Sequence, residues 1–283
     1  DMKGGVAMMV AAFLKAQMEE IELPGDLILT ILSDEEASGN FGARFLVEEH
    51  PEQFTNVQFA IGEFGGFTMD LAGQTFYPIM IAEKQLCTLR LTVNGSGGHG
   101  SSPIQGGAMA KLGHILTKLD QTRLPIHIIP EVRAMYRAIA QNTPFPTSLL
   151  LRLLLNPTFT NMVLKVMGSQ RQQFDSLLRH TVSPTIVQGG DKFNVIPSEI
   201  GLTLDGRLLP GHQPQDLINE LQTILGDGVK IELIHHDPAP PTANMALFDT
   251  LATILRETDP NGVPIPLVLP AVTDARHFAQ LGI

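Results

Sequence analysis

Two short apolar runs near the start of this 283-residue chain each lead into acidic residues. The run at 27–32 precedes Ser33-Asp34-Glu35-Glu36, and the run at 57–61 precedes Gly62-Glu63. Apolar runs of this length are typical of buried parallel strands, whose carboxyl ends meet along the edge where open α/β sheets bind ligands. The sequence therefore predicts an α/β sheet with carboxylates gathered along one edge.

These carboxylates predict a metal site. Asp1, before Gly4 and Gly5, adds a further acid. Several carboxylates in one crevice repel each other unless a cation lies among them. Adjacent acids suit a division of labour in which one binds metal and its neighbour moves a proton. The alternatives stay open: 34–36 as a solvated loop whose Asp34 caps a helix, and Asp1 as a helix N-cap.

The pattern of elements predicts two domains, one inserted in the other. Apolar spacing predicts helices at 6–18, with one buried face, and at 41–49, which alternate with the two strands as in a doubly wound sheet. A hairpin is expected at 67–82. The next elements have the β-α-β-β-α-β order of a ferredoxin-like unit. We expect these at 85–94, 106–119, 185–188, 199–208, 214–225 and 229–235, before helix 246–257, strand 265–269 and helix 274–281.

The predicted boundaries follow from this change of pattern. A catalytic α/β domain is expected at 1–84 and again at 239–283, and a lid domain at 85–238 interrupts it. Residues 121–180, rich in Leu, Met and Arg, form a helical insert in the lid.

Three further residues are candidates for substrate contacts. His99 lies in the glycine-rich sequence 95–103, from which it could donate a hydrogen bond to an oxyanion. Asn194 could present an amide to a polar substrate, and Arg207 could hold a carboxylate with two donors. The alternatives are an incidental histidine in a flexible loop and, for Arg207, a surface ion pair.

Composition excludes several classes of protein. A net charge of −10 argues against nucleic acid as a partner. No apolar run is long enough to span a bilayer, so no membrane partner is expected. The single cysteine, Cys87, excludes a disulfide framework and is expected to be a buried thiol, consistent with a cytoplasmic protein.

Taken in order, the motifs resemble those of the dinuclear zinc peptidases and amidohydrolases. This family includes carboxypeptidase G, aminoacylase, acetylornithine deacetylase and succinyl-diaminopimelate desuccinylase. The resemblance is carried by Asp-Met-Lys-Gly-Gly at 1–5, Ser-Asp-Glu-Glu at 33–36, Gly-Glu at 62–63, Gly-Gly-His-Gly-Ser at 97–101, Asn-Val-Ile-Pro-Ser-Glu at 194–199 and Asp-Gly-Arg at 205–207. It implies a zinc-binding α/β catalytic domain interrupted by a ferredoxin-like lid and dimerisation domain.

The resemblance also implies roles for single residues. Asp1 would bridge two zinc ions, Glu36 and Glu63 would ligate one ion each, and Glu35 would be the general base. His99 would reach into the site of the other subunit of a homodimer and stabilise the oxyanion. Asn194 and Arg207 would hold the substrate and its carboxylate. Two Zn²⁺ per subunit are expected, and Co²⁺ or Mn²⁺ would also suit a carboxylate-rich site.

The chain also departs from the family pattern. The family has a His-x-Asp motif upstream of Asp1 and a ligand histidine downstream of Ile283, so the sequence is expected to be truncated at both ends and to hold three of five ligands. The predicted function of the complete protein is zinc-dependent hydrolysis of an amide or peptide bond in a small carboxylate-bearing substrate, an N-acyl amino acid or short peptide. The chain alone is expected to be inactive. The alternatives are a non-catalytic dimerising scaffold and a metal-independent small-molecule-binding protein.

Overall fold

A computed structural model describes the chain except Asp1, Ser169, Gln170, Pro241 and the side chain of Gln173. The chain forms two compact units, one containing 1–65 and 273–283 and the other containing 66–272. The predicted domain limits at 84 and 238 divide the chain by its sequence pattern and not by its contacts, so they stay a prediction.

The described residues form both helices and strands, which confirms the mixed α/β class. The helices are α1 (Lys3–Met18), α2 (Ala43–Glu49), α3 (Ala108–Gln121), α4 (Pro130–Gln141), α5 (Thr147–Leu154), α6 (Pro157–Val166), α7 (Arg171–Asp175), α8 (Pro214–Leu225), α9 (Phe248–Thr258) and α10 (Ala275–Phe278). The strands are β1 (Met69–Leu71), β2 (Gln74–Glu83), β3 (Gln85–Asn94), β4 (Gly98–His99), β5 (Thr181–Gln188), β6 (Val195–Ile196), β7 (Glu199–Leu208), β8 (Lys230–Asp237) and β9 (Val263–Leu269).

The predicted ferredoxin-like lid is present in the second unit. Its four strands lie in the order β5-β7-β3-β8, and every neighbouring pair is antiparallel. Buried and half-buried residues alternate along β3, so one face of the sheet packs against α3 and α8. This core includes Leu89, Leu91, Leu202, Leu217 and the buried thiol of Cys87, which confirms the prediction for the cysteine.

The helical insert packs against a different sheet. β1 pairs antiparallel with β2, and β2 pairs parallel with β9. Buried residues of α4, α5 and α6, among them Val132, Leu151 and Val163, form one core with Phe76 and Ile265 of this sheet. The insert therefore lies within the predicted lid in sequence but shares its hydrophobic core with β2 and β9.

A buried lysine fixes the end of the insert. Lys84, 1% exposed, lies between β2 and β3, and its ammonium donates to the carbonyls of Ser176 and Arg179 and to the hydroxyl of Thr181 at 2.9–3.1 Å. Burial lowers the pKa of Lys84 to about 7, while the three acceptors satisfy all its donors.

Two predictions for the first unit are wrong. Residues 27–32 and 57–61 do not form strands, and no residue of α1 is buried. Leu27, Ile31 and Ile61 are 53–69% exposed. An apolar run becomes a strand only when neighbouring strands satisfy its backbone groups, and the described residues supply no such neighbour here.

No helix among the described residues is long and apolar enough to cross a bilayer.

Candidate functional site

The acidic motif of the first unit forms a tight turn. Asp34 has a left-handed backbone (φ 60°), and a single 3-10 turn follows at Glu35–Ala37. The carbonyl of Asp34 accepts from Ala37 N and Gly39 N, and its carboxylate accepts from Phe41 N at 2.9 Å. Asp34 thus holds the turn by its own hydrogen bonds, so Glu35 and Glu36 project from a fixed backbone.

Arg276 joins this turn to α10. Its guanidinium donates to Ser38 O at 3.0 Å and to Thr273 O at 2.7 Å, and the residue is only 4% exposed. Thr273 Oγ1 accepts from Ala275 N at 3.1 Å at the start of α10. The arginine therefore places Asp274 beside the turn that carries Glu35.

The approach of Asp274 to the turn requires a glycine. A Cβ atom at position 39 would lie 2.4 Å from Asp274 Oδ1 and 3.3 Å from His277 Nε2. Gly39 also has a φ of +65°, which disfavours other residues. The backbone at Gly39 thus packs directly against the acidic site.

The carboxylates of this site repel one another. Burial raises the pKa of Glu35, and the charges of Asp274 and Glu36 raise it further. Burial also raises the pKa of Glu63, followed by Glu35, Asp274 and Glu36. The structure therefore brings the predicted acids Glu35, Glu36 and Glu63 into electrostatic contact, and it adds Asp274, whose own pKa is raised by burial.

This arrangement fits a divalent cation. Two carboxylate oxygens, Asp34 Oδ1 and Asp274 Oδ1, are buried and have no hydrogen-bond partner among the residues that the structure describes. Oxygen-rich acidic sites with unmatched negative charge suit divalent ions. Glu36 and Glu63 are the described candidates for ligands, and Asp1, the predicted bridge, lies outside the described residues. The ligand roles of all three stay predictions.

Asp274 is not among the site residues that the sequence predicts. The signal that could have identified it was the one used for Glu35 and Glu63, because Asp274 also follows an apolar run, at 265–269. An acid at the start of a helix is commonly a cap, so its presence there does not by itself indicate a metal site.

His99 and Asn194 lie side by side in the second unit. β4 pairs with β6, which sets His99 opposite Val195, and Gly100 N donates to Asn194 O at 2.8 Å. The Nδ1 atom of His99 accepts from Ser101 N at 3.2 Å and lies 2.7 Å from Ser101 Oγ. Because Nδ1 accepts from a backbone N–H, neutral His99 carries its proton on Nε2, the tautomer needed to donate to an oxyanion.

Arg207 lies at the far end of the lid sheet. Its guanidinium donates to both carboxylate oxygens of Asp205, at 2.8 and 3.0 Å, while Nη1 is buried and has no hydrogen-bond partner in the described part of the chain. In the register of β7 on β3, Arg207 lies opposite Leu86. Glu199, eight residues earlier in β7, lies opposite Asn94, beside the loop that carries His99. At the usual strand rise this separation is about 27 Å. One subunit therefore does not bring Arg207 close to His99 and Asn194.

A histidine cluster in the second unit was not predicted. His127, His180 and His212 have ring centroids 4.6–4.9 Å apart, and Glu220 Oε1 lies 2.6 Å from His127 Nε2 and 4.0 Å from His180 Nε2. No sequence signal could have found it, because His127 and Glu220 are 93 residues apart with no shared motif.

His127, His180 and Glu220 have ligand atoms within 4.8 Å of one another, a spacing that metal ions could use. The hydrogen bonding of His180 opposes this role. Its Nδ1 accepts from Leu209 N at 3.1 Å, so the neutral ring carries its proton on Nε2, the atom that faces Glu220. A metal-binding histidine instead donates from its second nitrogen, so we interpret the cluster as a buried network without metal.

Comparison with known proteins adds independent information. The model of the peptidase dimerisation domain, M20 type, matches residues 81–232. "Probable carboxypeptidase S-like 2" of Dictyostelium discoideum is 28% identical over 263 residues, covering 88% of this chain and 49% of that protein. Human "N-fatty-acyl-amino acid synthase/hydrolase PM20D1" is 28% identical over 259 residues, covering 88% and 51%. Pig "Aminoacylase-1" is 22% identical over 302 residues, covering 100% and 60%.

The chain spans about half the length of the first two of these relatives. The match to the dimerisation domain covers more than half of the chain itself. It confirms the resemblance drawn from the ordered motifs. The chain belongs to the M20 peptidase family that carries this dimerisation domain.

Proposed function

We propose that the complete protein hydrolyses an amide bond in an N-acyl amino acid or short peptide with a free carboxylate. The observation that carries the proposal is the acidic site of the first unit. Burial and then the charges of Asp274 and Glu36 raise the pKa of Glu35, and burial and then the charges of Glu35, Asp274 and Glu36 raise the pKa of Glu63. The names of the relatives, a carboxypeptidase, an N-fatty-acyl-amino acid hydrolase and an aminoacylase, support the same substrate class.

Each acidic residue has a proposed part. Glu36, Glu63 and Asp1 would hold divalent metal, with zinc as the expected ion. A bound zinc ion supplies Lewis acidity and lowers the pKa of water. Glu35, adjacent to a ligand but free to move, takes a proton from the attacking water and delivers it to the leaving amine nitrogen as the C–N bond breaks. The raised pKa of Glu35 suits a group that must both accept and return a proton.

We also propose that the working site contains residues of two subunits. Neutral His99 would donate from Nε2 to the oxyanion, Asn194 would bind a polar group of the substrate, and Arg207 would bind its carboxylate. The separation of about 27 Å along β7 is too long for one small substrate to reach both ends of one lid. A homodimer through the lid would allow His99 and Asn194 of one subunit to complete the site of the other.

The base is tested by Glu35→Gln in the complete protein. We expect kcat to fall by at least on the order of 10³-fold, since Gln cannot accept the proton, while bound zinc is unchanged. Glu52→Gln, an exposed acid of the same unit, is the matched control and should retain activity. N-acyl amino acid hydrolysis and metal content are measured on the same samples. A Glu35→Gln enzyme that kept its rate would refute the proposed base.

The shared site is tested by mixing two inactive variants, Glu35→Gln and His99→Ala. If His99 acts across the interface, mixed dimers contain one site with an intact base and an intact histidine. A random mixture then recovers about a quarter of wild-type activity, because half the dimers are mixed and half their sites are intact. If both residues act within one subunit, the mixture stays inactive, and that part of the proposal fails.

A further inference from the structure

The helical insert has a charge opposite to that of the rest of the protein. Residues 121–180 contain seven of the chain's 19 lysines and arginines and two of its 29 acidic residues. At the average frequency of the chain, a segment of this length would hold about six acids. The insert is therefore a basic region on a protein of net charge −10, and such a region attracts polyanions.

A basic cavity lies at the base of the insert. It has a volume of about 450 Å³, and its lining includes Arg123, Lys165, Arg171 and Arg179 with a single acid, Asp175. Asp175 pairs with both Arg123 and Arg179. Lys165 and Arg171 have no ion-pair partner among the described residues, so the cavity keeps unmatched positive charge. Arginine and lysine grouped in this way bind phosphate.

An exposed apolar stripe adjoins this cavity along α6. Phe159, Met162 and Val166, spaced by three and four residues, are 39%, 53% and 67% exposed. Lys165, which lines the cavity, follows Met162 by one helical turn and so extends the same face. The opposite face of α6 is buried through Val163 and Leu164. This face therefore combines large apolar side chains with a cation and has no carboxylate.

The neighbouring helix repeats the pattern. Leu149 and Arg152 lie one turn apart on the exposed face of α5, and Phe145, just before this helix, is 77% exposed. Leu151 and Leu154 on the opposite face enter the same core as Val163 and Leu164 of α6. The exposed faces of both helices are consequently directed away from one shared core.

We propose that the helical insert docks on a membrane surface containing anionic phospholipid. The cavity receives a lipid phosphate, and the apolar stripe of α6 with Phe145 and Leu149 enters the boundary between headgroups and acyl chains. Interfacial helices combine basic and large apolar side chains in this way. A purely acidic peptide would match the cations but leave the apolar stripe exposed to water. The expectation of no membrane partner concerned spanning segments, and docking at the surface needs none.

Vesicle flotation of the full 283-residue chain tests the proposal. We expect binding to phosphatidylcholine vesicles that contain phosphatidylserine, no binding to phosphatidylcholine alone, and weaker binding as salt increases. Each basic residue near an anionic surface contributes about fivefold to affinity, so Arg152→Glu with Lys165→Glu should weaken binding at least ~25-fold. Met162→Ser with Val166→Ser should weaken binding with little change in its salt dependence.

Matched controls lie on α9, where Ile254 and Arg256 are exposed and outside the insert. Arg256→Glu and Ile254→Ser should bind vesicles like the wild type, and circular dichroism checks the folding of every variant. Equal binding to neutral vesicles, or an equal loss in the α9 controls, would overturn the proposal. Binding of inorganic phosphate or polyglutamate without vesicle binding would also overturn it, in favour of a free anion or an acidic protein. If the charge reversals fail to fold, salt-independent binding of the wild type is the contradicting result.

Discussion

The protein contains two clusters of titratable side chains, one of carboxylates and one of histidines, in which pKa values are shifted in opposite directions. In the first unit, burial and neighbouring negative charges raise the pKa values of Glu35 and Glu63. In the second, burial and neighbouring imidazoles lower the pKa of His180 to about 3. A cation would reduce the repulsion among the acids, whereas neutral histidines do not repel one another by charge. Proximity of ligand-type residues therefore does not by itself identify a metal site.

The two clusters also affect stability with opposite sign. A carboxyl whose pKa is raised by folding binds more protons in the native state, so it reduces stability as pH rises above its unfolded value. A histidine whose pKa is lowered by folding binds more protons in the unfolded state, so it reduces stability as pH falls below 6.5. Acidification therefore reduces the destabilisation caused by the carboxylate cluster and increases the destabilisation caused by the histidine cluster.

The largest expected effect is on the pH dependence of unfolding. His180→Asn keeps an acceptor for Leu209 N but removes the titrating group. Wild-type stability relative to this variant should fall by about 1.4 kcal/mol per pH unit below pH 6.5, a difference of about 3 kcal/mol by pH 4. Urea unfolding of both proteins from pH 7 to pH 4 measures this difference.

His235→Asn is a control for that experiment, since His235 is exposed and forms its ion pair on the edge strand β8. Its pH dependence should follow the wild type much more closely. A constant difference between wild type and His180→Asn at all pH values would show that His180 does not titrate as a buried neutral group.

The next largest effect separates the two clusters by metal. In the complete protein, free zinc at about one hundred times its Kd should stabilise the native state by ~2.7 kcal/mol. Glu63→Gln should lose most of this stabilisation because it removes a proposed ligand. His180→Asn should keep the zinc-dependent stabilisation, measured against the same variant without metal. Thermal unfolding with and without zinc provides the measurement, and the reverse pattern would place the metal in the histidine cluster.

The lid was predictable because its signals are local. The bounds of β3, β7 and α8 agree with the sequence prediction at both ends. Alternating burial along a strand follows directly from alternating residue types, and Pro at the start of α8 with Gly226 after its end marks that helix clearly. None of these features depends on a distant residue.

The first unit and the histidine cluster were less predictable for a physical reason. An apolar run such as 27–32 shows that a segment tends to be buried, but pairing depends on partners that the run does not encode. The proximity of His127 to Glu220 likewise arises from tertiary packing alone. Between these extremes, Glu35 and Glu63 were found from their positions after apolar runs, although those runs are not strands.

The smallest expected effect concerns the packing of the acidic site. Gly39→Ala places a Cβ atom 2.4 Å from Asp274 Oδ1 on a backbone with φ of +65°. We expect a loss of about 1–2 kcal/mol in stability from the left-handed conformation and the displaced carboxylate, measured by chemical denaturation of the first unit. Gly62→Ala is the matched control, because a Cβ there would contact nothing within 4 Å and Gly62 also adjoins a predicted ligand, Glu63. If both substitutions cost the same, close packing at Gly39 does not position Asp274. If Gly39→Ala alone also reduces the zinc-dependent stabilisation, the turn at 34–39 and the acids beside it act as one site. The pKa of His180 in the histidine cluster should not change in this variant.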